Sequence, residues 1–110
     1  MLIDGAAMAN AQLVDPGGRA LRIVAHTGFP TKFLQFFDTV DDTSCACGSA
    51  RATGRAVWVP DTTRSAIFAD TPALDVMLDA RCRAVASVPV FSPHGRLIAM
   101  ISTHYNRPTR

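Results

Sequence analysis

The residues best equipped for chemistry are three thiols and three imidazoles. Cys45-Ala46-Cys47 is the sharpest local feature, and Cys82 is the remaining cysteine. Thiolates ligate metals and carry redox chemistry. A tetrahedral zinc site needs four ligands, commonly from two Cys-x-x-Cys-like pairs, and one Cys-x-Cys with a distant third thiol does not supply them. The spacing therefore predicts no metal centre. Cys47 is expected to pack at the start of a helix, with Cys45 a loop thiol. Cys82, just ahead of a strand, is expected to behave as a small buried hydrophobe. Two cysteines one residue apart also make a strained disulfide. His26, His94 and His104 are dispersed: His94 in a turn, His26 ending a strand, His104 following the last strand. Solvated or hydrogen-bonded roles are the expectation for all three. No Gly-x-Ser-x-Gly or Gly-x-x-x-x-Gly-Lys segment occurs, so neither a hydrolase elbow nor a phosphate-cradling loop is indicated. Asp61, Asp70, Asp75 and Asp79 form no acid–base pair by spacing.

The elements that must hold these groups follow from periodicity. Residues 6–14 alternate, with Ala7, Ala9, Ala11 and Leu13 on one face and Asn10 and Gln12 on the other. Asp15-Pro16-Gly17-Gly18 is a turn, and Leu21–His26 a second strand, completing a hairpin. Phe33, Phe36, Phe37 and Val40 fall at i, i+3, i+4 and i+7, the apolar stripe of a helix. Asp41–Ser44 reads as a polar loop, Cys47–Ala52 as a short helix ended by Gly54, and Val57–Val59 as a short strand. Asp61 is placed to cap a turn. Thr71-Pro72 opens the clearest helix, an N-cap followed by proline in the first turn, with Leu74, Met77 and Leu78 on one face. Residues 84–91 form a buried strand, with Pro89 marking a bulge or an unpaired position. Ser92–Gly95 is a tight turn, and Leu97–Ile101 a nearly continuous apolar strand expected at the sheet centre. Strands and helices in this order predict an α/β (α+β) domain with a mainly antiparallel five- or six-stranded sheet.

Composition bounds the function. At 110 residues, 48% hydrophobic and 18% charged, the chain suits one globular domain. The net charge is +2 with scattered basic residues, which gives no footprint for nucleic acid. No apolar run reaches the ~20 residues of a membrane span, and no secretory leader is legible. An odd cysteine count suits a reducing cytoplasm.

Several segments in order resemble the GAF family, in the branch attached to bacterial sensor histidine kinases and response regulators. They are Ala9–Pro16, Leu21–His26, Gly28-Phe29, Phe33–Phe37, Ala46–Gly48, Arg83–Val90 and Gly95–His104. The resemblance implies a central antiparallel sheet with helices on one face, and loops plus short helices around a pocket on the other. It implies a regulatory sensory domain, 1–110, without catalytic activity. Such a domain binds a small molecule, mediates homodimerisation, or does both, and controls a kinase or other output domain. Pocket candidates are Phe33, Phe36, Phe37, Trp58, Phe68, Met77, Ser87 and Met100; no cofactor is specified. The long helices that family members carry at both termini are expected to be missing from this chain. Some GAF relatives reduce free methionine sulfoxide with cysteines, which makes Cys45, Cys47 and Cys82 redox candidates, although the residues around them do not look like that enzyme. No segment resembles a bilin or haem attachment site. A structural dimerisation module is the remaining alternative.

Overall fold

The computed structural model describes residues 6–15, 20–40 and 45–108. Period-two segments build its centre: β1 (Met8–Val14), β2 (Leu21–Thr27), β3 (Thr39–Val40), β4 (Val57–Val59), β5 (Ala84–Phe91) and β6 (Leu97–Tyr105). They form one antiparallel sheet in the order β3-β2-β1-β6-β5-β4. β6 and β1 are central and β4 is an edge, as the apolar run in β6 and the brevity of β4 predicted. The irregularity expected at Pro89 lies one step on, between Val90 and Phe91, and Pro89 itself keeps its register opposite Met100. Among the described residues three α-helices accompany the sheet: α1 (Thr31–Phe36), α2 (Ala46–Thr53) and α3 (Pro72–Asp79).

Local chemistry fixes the helix ends. The Thr71 hydroxyl accepts from the Leu74 N–H at 3.4 Å, and Pro72 needs no N–H partner there. α3 buries Ala73, Val76 and Met77 and leaves Leu78 exposed, so its inner face is rotated from the expected Leu74–Met77–Leu78 stripe. Gly54 ends α2 at φ +70°, a conformation that costs glycine little. Asp61 caps its turn by accepting from the Thr63 N–H at 3.0 Å. α1 is shorter than the stripe predicted. It stops at Phe36, and Val40 belongs to β3, paired with Leu21. Gly28 sits at φ +91°, where a Cβ would lie 2.7 Å from the Met8 Cγ. The predicted turn at Pro16–Gly18 and the loop at Asp41–Ser44 lie outside the described residues.

Alternation along the strands separates two unlike faces. Met8, Asn10 and Gln12 of β1, Val85 and Ser87 of β5, and Met100, Ser102 and His104 of β6 are all buried. With Leu21, Phe33, Phe37, Phe68 and Met77 they surround the single core. The opposite face carries Leu13, Val88 and Ile101, which are 48%, 48% and 42% exposed. Ala11, Ile101 and Val88 are in register across β1, β6 and β5. Among the described residues the helices therefore lie on the pocket side, and the other face is an open apolar surface. The pocket side is the one expected to carry loops and short helices.

Candidate functional site

The inward side of β1 is polar where hydrophobicity alone would place alanines. Asn10 and Gln12 are buried against the core, while Ala9 and Ala11 face outward. Pairing aligns Asn10 with Ser102 and Ser102 with Ser87, giving a polar row across three strands. The Ser87 and Ser102 hydroxyls hydrogen-bond to each other at 2.7 Å. His104 lies one inward position along β6, in register with Met8 and Val85. Its ring stands perpendicular to those of Phe29 and Phe33, at 4.9 Å and 5.5 Å between centroids.

These polar groups open on a pocket between the sheet and the helices. Its cavity volume is about 20 Å³, room for about one water molecule. That is far below the ~300–1,000 Å³ common for small-molecule sites, so any ligand larger than water requires the wall to move. Phe33, Phe37, Phe68 and Met77 form its apolar wall, and Cys45 and Cys47 lie in the wall at the start of α2. Five buried side-chain polar atoms have no hydrogen-bond partner among the described residues: Arg83 Nε, away from the pocket, and four on the pocket lining, Asn10 Oδ1, Gln12 Oε1 and both ring nitrogens of His104. Burial pulls the His104 pKa down to about 3, so the imidazole is neutral at physiological pH. It presents one donor and one acceptor.

The thiols differ sharply. The Cys45 and Cys47 sulfurs are 3.3 Å apart. The Cys47 pKa is lowered, chiefly by the hydrogen bond from Cys45. Burial opposes this, and donation from the Gln12 side chain and nearby backbone N–H groups reinforces it. The Gln12 Nε2 donor is 3.7 Å from the Cys47 sulfur. Cys82 is fully buried, and burial pushes its thiol up to about 12. Among the described residues, no three His, Cys, Asp or Glu side chains gather as a metal site.

The pocket thus gathers Phe33, Phe37, Phe68, Met77, Ser87, Cys45 and Cys47 from the residues singled out by sequence. Four others lie elsewhere. Phe36 is 44% exposed, because a helix as short as α1 buries only Phe33 and the following Phe37. Trp58 points outward from edge strand β4, against Tyr105 at 5.7 Å, and borders an open groove of about 340 Å³ with Pro60 and Asp61. Met100 is buried in the core beside the pocket, in register with Gln12, and does not line it. Cys82 precedes β5, away from the paired thiols, and is inert by burial. Sequence reasoning missed Asn10, Gln12, Ser102 and His104. Their signal was a polar residue at every second position of a strand.

With fold and pocket in view, the comparisons with known proteins take their place. The model of the GAF domain family matches residues 1–110, and the chain belongs to that family. One similar solved structure is a domain from Sinorhizobium meliloti of a protein described as a two-component sensor histidine kinase. It is 21% identical with a TM-score of 0.73, covering 96% of this chain and 64% of that one. Another is the free methionine-R-sulfoxide reductase of Neisseria meningitidis, solved with its substrate. It is 20% identical with a TM-score of 0.73, covering 96% and 56%. A third is the type II free methionine-R-sulfoxide reductase of Thermoplasma acidophilum, 16% identical with a TM-score of 0.72, covering 96% and 65%. The chain spans between half and two thirds of the length of these proteins. A search of curated proteins gave no match. The expectation of a domain without catalytic activity is corrected by these findings. Reductases share its fold, so the fold gives no ground for excluding catalysis. Among the described residues, no helix is long and apolar enough to cross a membrane.

Proposed function

We propose that this GAF domain is a regulatory sensor whose pocket binds a small, neutral, hydrogen-bonding molecule. The observation that carries the reading is the set of unpartnered polar atoms on Asn10, Gln12 and His104. Leaving a buried polar group unmade costs about 1–3 kcal/mol, so several around one cavity favour a ligand that completes them. Two side-chain oxygens ask for N–H or O–H groups on that ligand. A neutral imidazole accepts one further hydrogen bond and donates one. Among the described residues no carboxylate or guanidinium lines the pocket, which disfavours an ion bound by charge alone. In this reading a partner copy meets the open sheet face, where exposed apolar side chains would be covered in a cytoplasmic homodimer. A kinase or other output domain would receive the signal.

Native mass spectrometry of freshly purified protein tests the ligand and the dimer together. The expected result is a dimer retaining a small molecule, with the adduct lost in Asn10→Leu and His104→Leu variants that still fold. An empty pocket, with no thermal shift across a panel of small amides, alcohols and amines, would refute it.

A second reading is favoured by one observation, the thiol pair in the pocket wall. It is reduction of a bound sulfoxide, the activity that names two of the similar structures. It ranks second because the residues around Cys45 and Cys47 do not resemble that enzyme. Methionine release from free methionine sulfoxide and dithiothreitol, abolished in Cys47→Ser, is the result it requires.

A further inference from the structure

The two pocket thiols are brought together by the joint between loop and helix. Two residues apart in a strand, side chains share a face but stand ~7 Å from each other. Two apart in a helix, they face different ways. Here Cys45 is extended, at φ −150° and ψ 168°, and Ala46 begins α2. The change of backbone at that joint turns Cys47 back beside Cys45, with the sulfurs in contact at 3.3 Å. Both line the pocket, and Cys47 is the more exposed of the two. Gln12 reaches over from β1 and donates to the Cys47 sulfur.

We propose that Cys45 and Cys47 form a peroxide-reactive dithiol, in which a small hydroperoxide entering the pocket converts the pair to a disulfide within the chain. Cys47 supplies the attacking thiolate. Its sulfur bonds to one peroxide oxygen, the O–O bond breaks, and the other oxygen leaves and takes up a proton as water or alcohol. Cys47 then carries a sulfenic acid. The neighbouring Cys45 sulfur attacks it, the S–S bond forms, the S–O bond breaks, and hydroxide leaves as water with the proton of Cys45. Two thiols are oxidised by two electrons in all, and one O–O bond is reduced. The thiolate bias of Cys47 suits the first step, and contact with Cys45 makes the second intramolecular. Cys82 takes no part: it is buried elsewhere, and its high pKa leaves almost no thiolate at neutral pH. This chemistry is independent of the ligand that the polar row would hold.

The test treats the reduced full-length chain with hydrogen peroxide, quenches with an alkylating agent, and reads intact mass and a peptide map. The expected product has lost two hydrogen masses and remains one chain on a non-reducing gel. Cys45 and Cys47 are protected from alkylation, and Cys82 is alkylated once the chain is unfolded. Cys45→Ser should stop at the sulfenic acid, trapped on Cys47 by dimedone. Cys47→Ser should slow thiol loss by more than about tenfold, while Cys82→Ser leaves the rate unchanged. The wild-type map needs no variant to fold. A disulfide that includes Cys82 or joins two chains would overturn the proposal. So would Cys45 and Cys47 remaining alkylatable after exposure that fully oxidises glutathione.

Discussion

Replacing His104 with leucine should remove an acid sensitivity built into the core. The folded imidazole has a pKa near 3, against 6.5 when freely solvated, because burial among Phe29, Phe33 and the inner sheet face penalises its charged form. Below 6.5 the unfolded chain therefore binds a proton that the folded chain refuses. Stability falls as pH drops through 6.5, and goes on falling until about 3. The slope approaches about 1.4 kcal/mol per pH unit, and the loss between pH 7 and pH 5 comes to about 2 kcal/mol. For a domain of this size that is roughly a 10 °C fall in Tm. Asp61, held below the ordinary carboxylate value mainly by its hydrogen bonds to Thr63, titrates at lower pH and leaves this window clear. Urea unfolding at pH 7, 6 and 5, followed by far-ultraviolet circular dichroism, measures the loss directly. His26 and His94 are common to both proteins and cancel in the comparison. His104→Leu should lose about 2 kcal/mol less than the parent over that range, and should be the more stable protein at pH 5. Equal pH dependence in the two would show that the folded state accepts the proton, and the account of a neutral, solvent-excluded imidazole would be wrong.

Three further outcomes are expected. Ser87→Ala or Ser102→Ala should each cost about 1–3 kcal/mol by stranding the other hydroxyl, and the double variant should cost less than the two singles together, as a double-mutant cycle by urea denaturation would show. Gly28→Ala should destabilise well beyond ~1 kcal/mol, since a Cβ there meets Met8 and the Ala7 carbonyl. Gly95→Ala, also at positive φ but with nothing within 4 Å, should cost only the backbone strain, and thermal melts of the pair separate the two effects. If the open face joins two copies, Ile101→Lys should shift light scattering from dimer to monomer with little change in the fold of the monomer, because Ile101 is 42% exposed in the single chain.

The strands were legible in the sequence because period two survives even where the chemistry is unusual. In residues 6–14 the alternation was plain, but not which face turns inward. Four apolar positions opposed two amides, and hydrophobicity favours the wrong side. The amides are buried because they line the pocket. The same cause shortened β6 in the sequence reading. Its apolar run ends at Ile101, yet the strand continues through Ser102, Thr103 and His104 to Tyr105. His104 was therefore placed after the sheet instead of inside it. The phenylalanine stripe failed for a different reason. Phe33 to Val40 fits a helical period, but the chain turns at Phe37, and backbone pairing with Leu21 takes Val40 into β3. Caps were the most readable features: Thr71-Pro72, Gly54 and Asp61 act through their own side chains or lack of one, with no distant partner to guess. The contact between Cys45 and Cys47 was not legible, because it depends on the backbone changing course between them.

Because, among the described residues, the sheet is covered on one side only, β6 is a shared wall. Ser102 points to the pocket, while its neighbour Ile101 points to the open face, in register with Ala11 and Val88. The distance from a molecule in the pocket to one resting on the outer surface is a single backbone thickness. No chain of intermediate residues or hinge is needed to carry a displacement across. If, as proposed, a ligand in the pocket signals to a partner on the open face, a shift of β6 would reach both surfaces directly. The number of residues that need to be tuned for such a relay is correspondingly small.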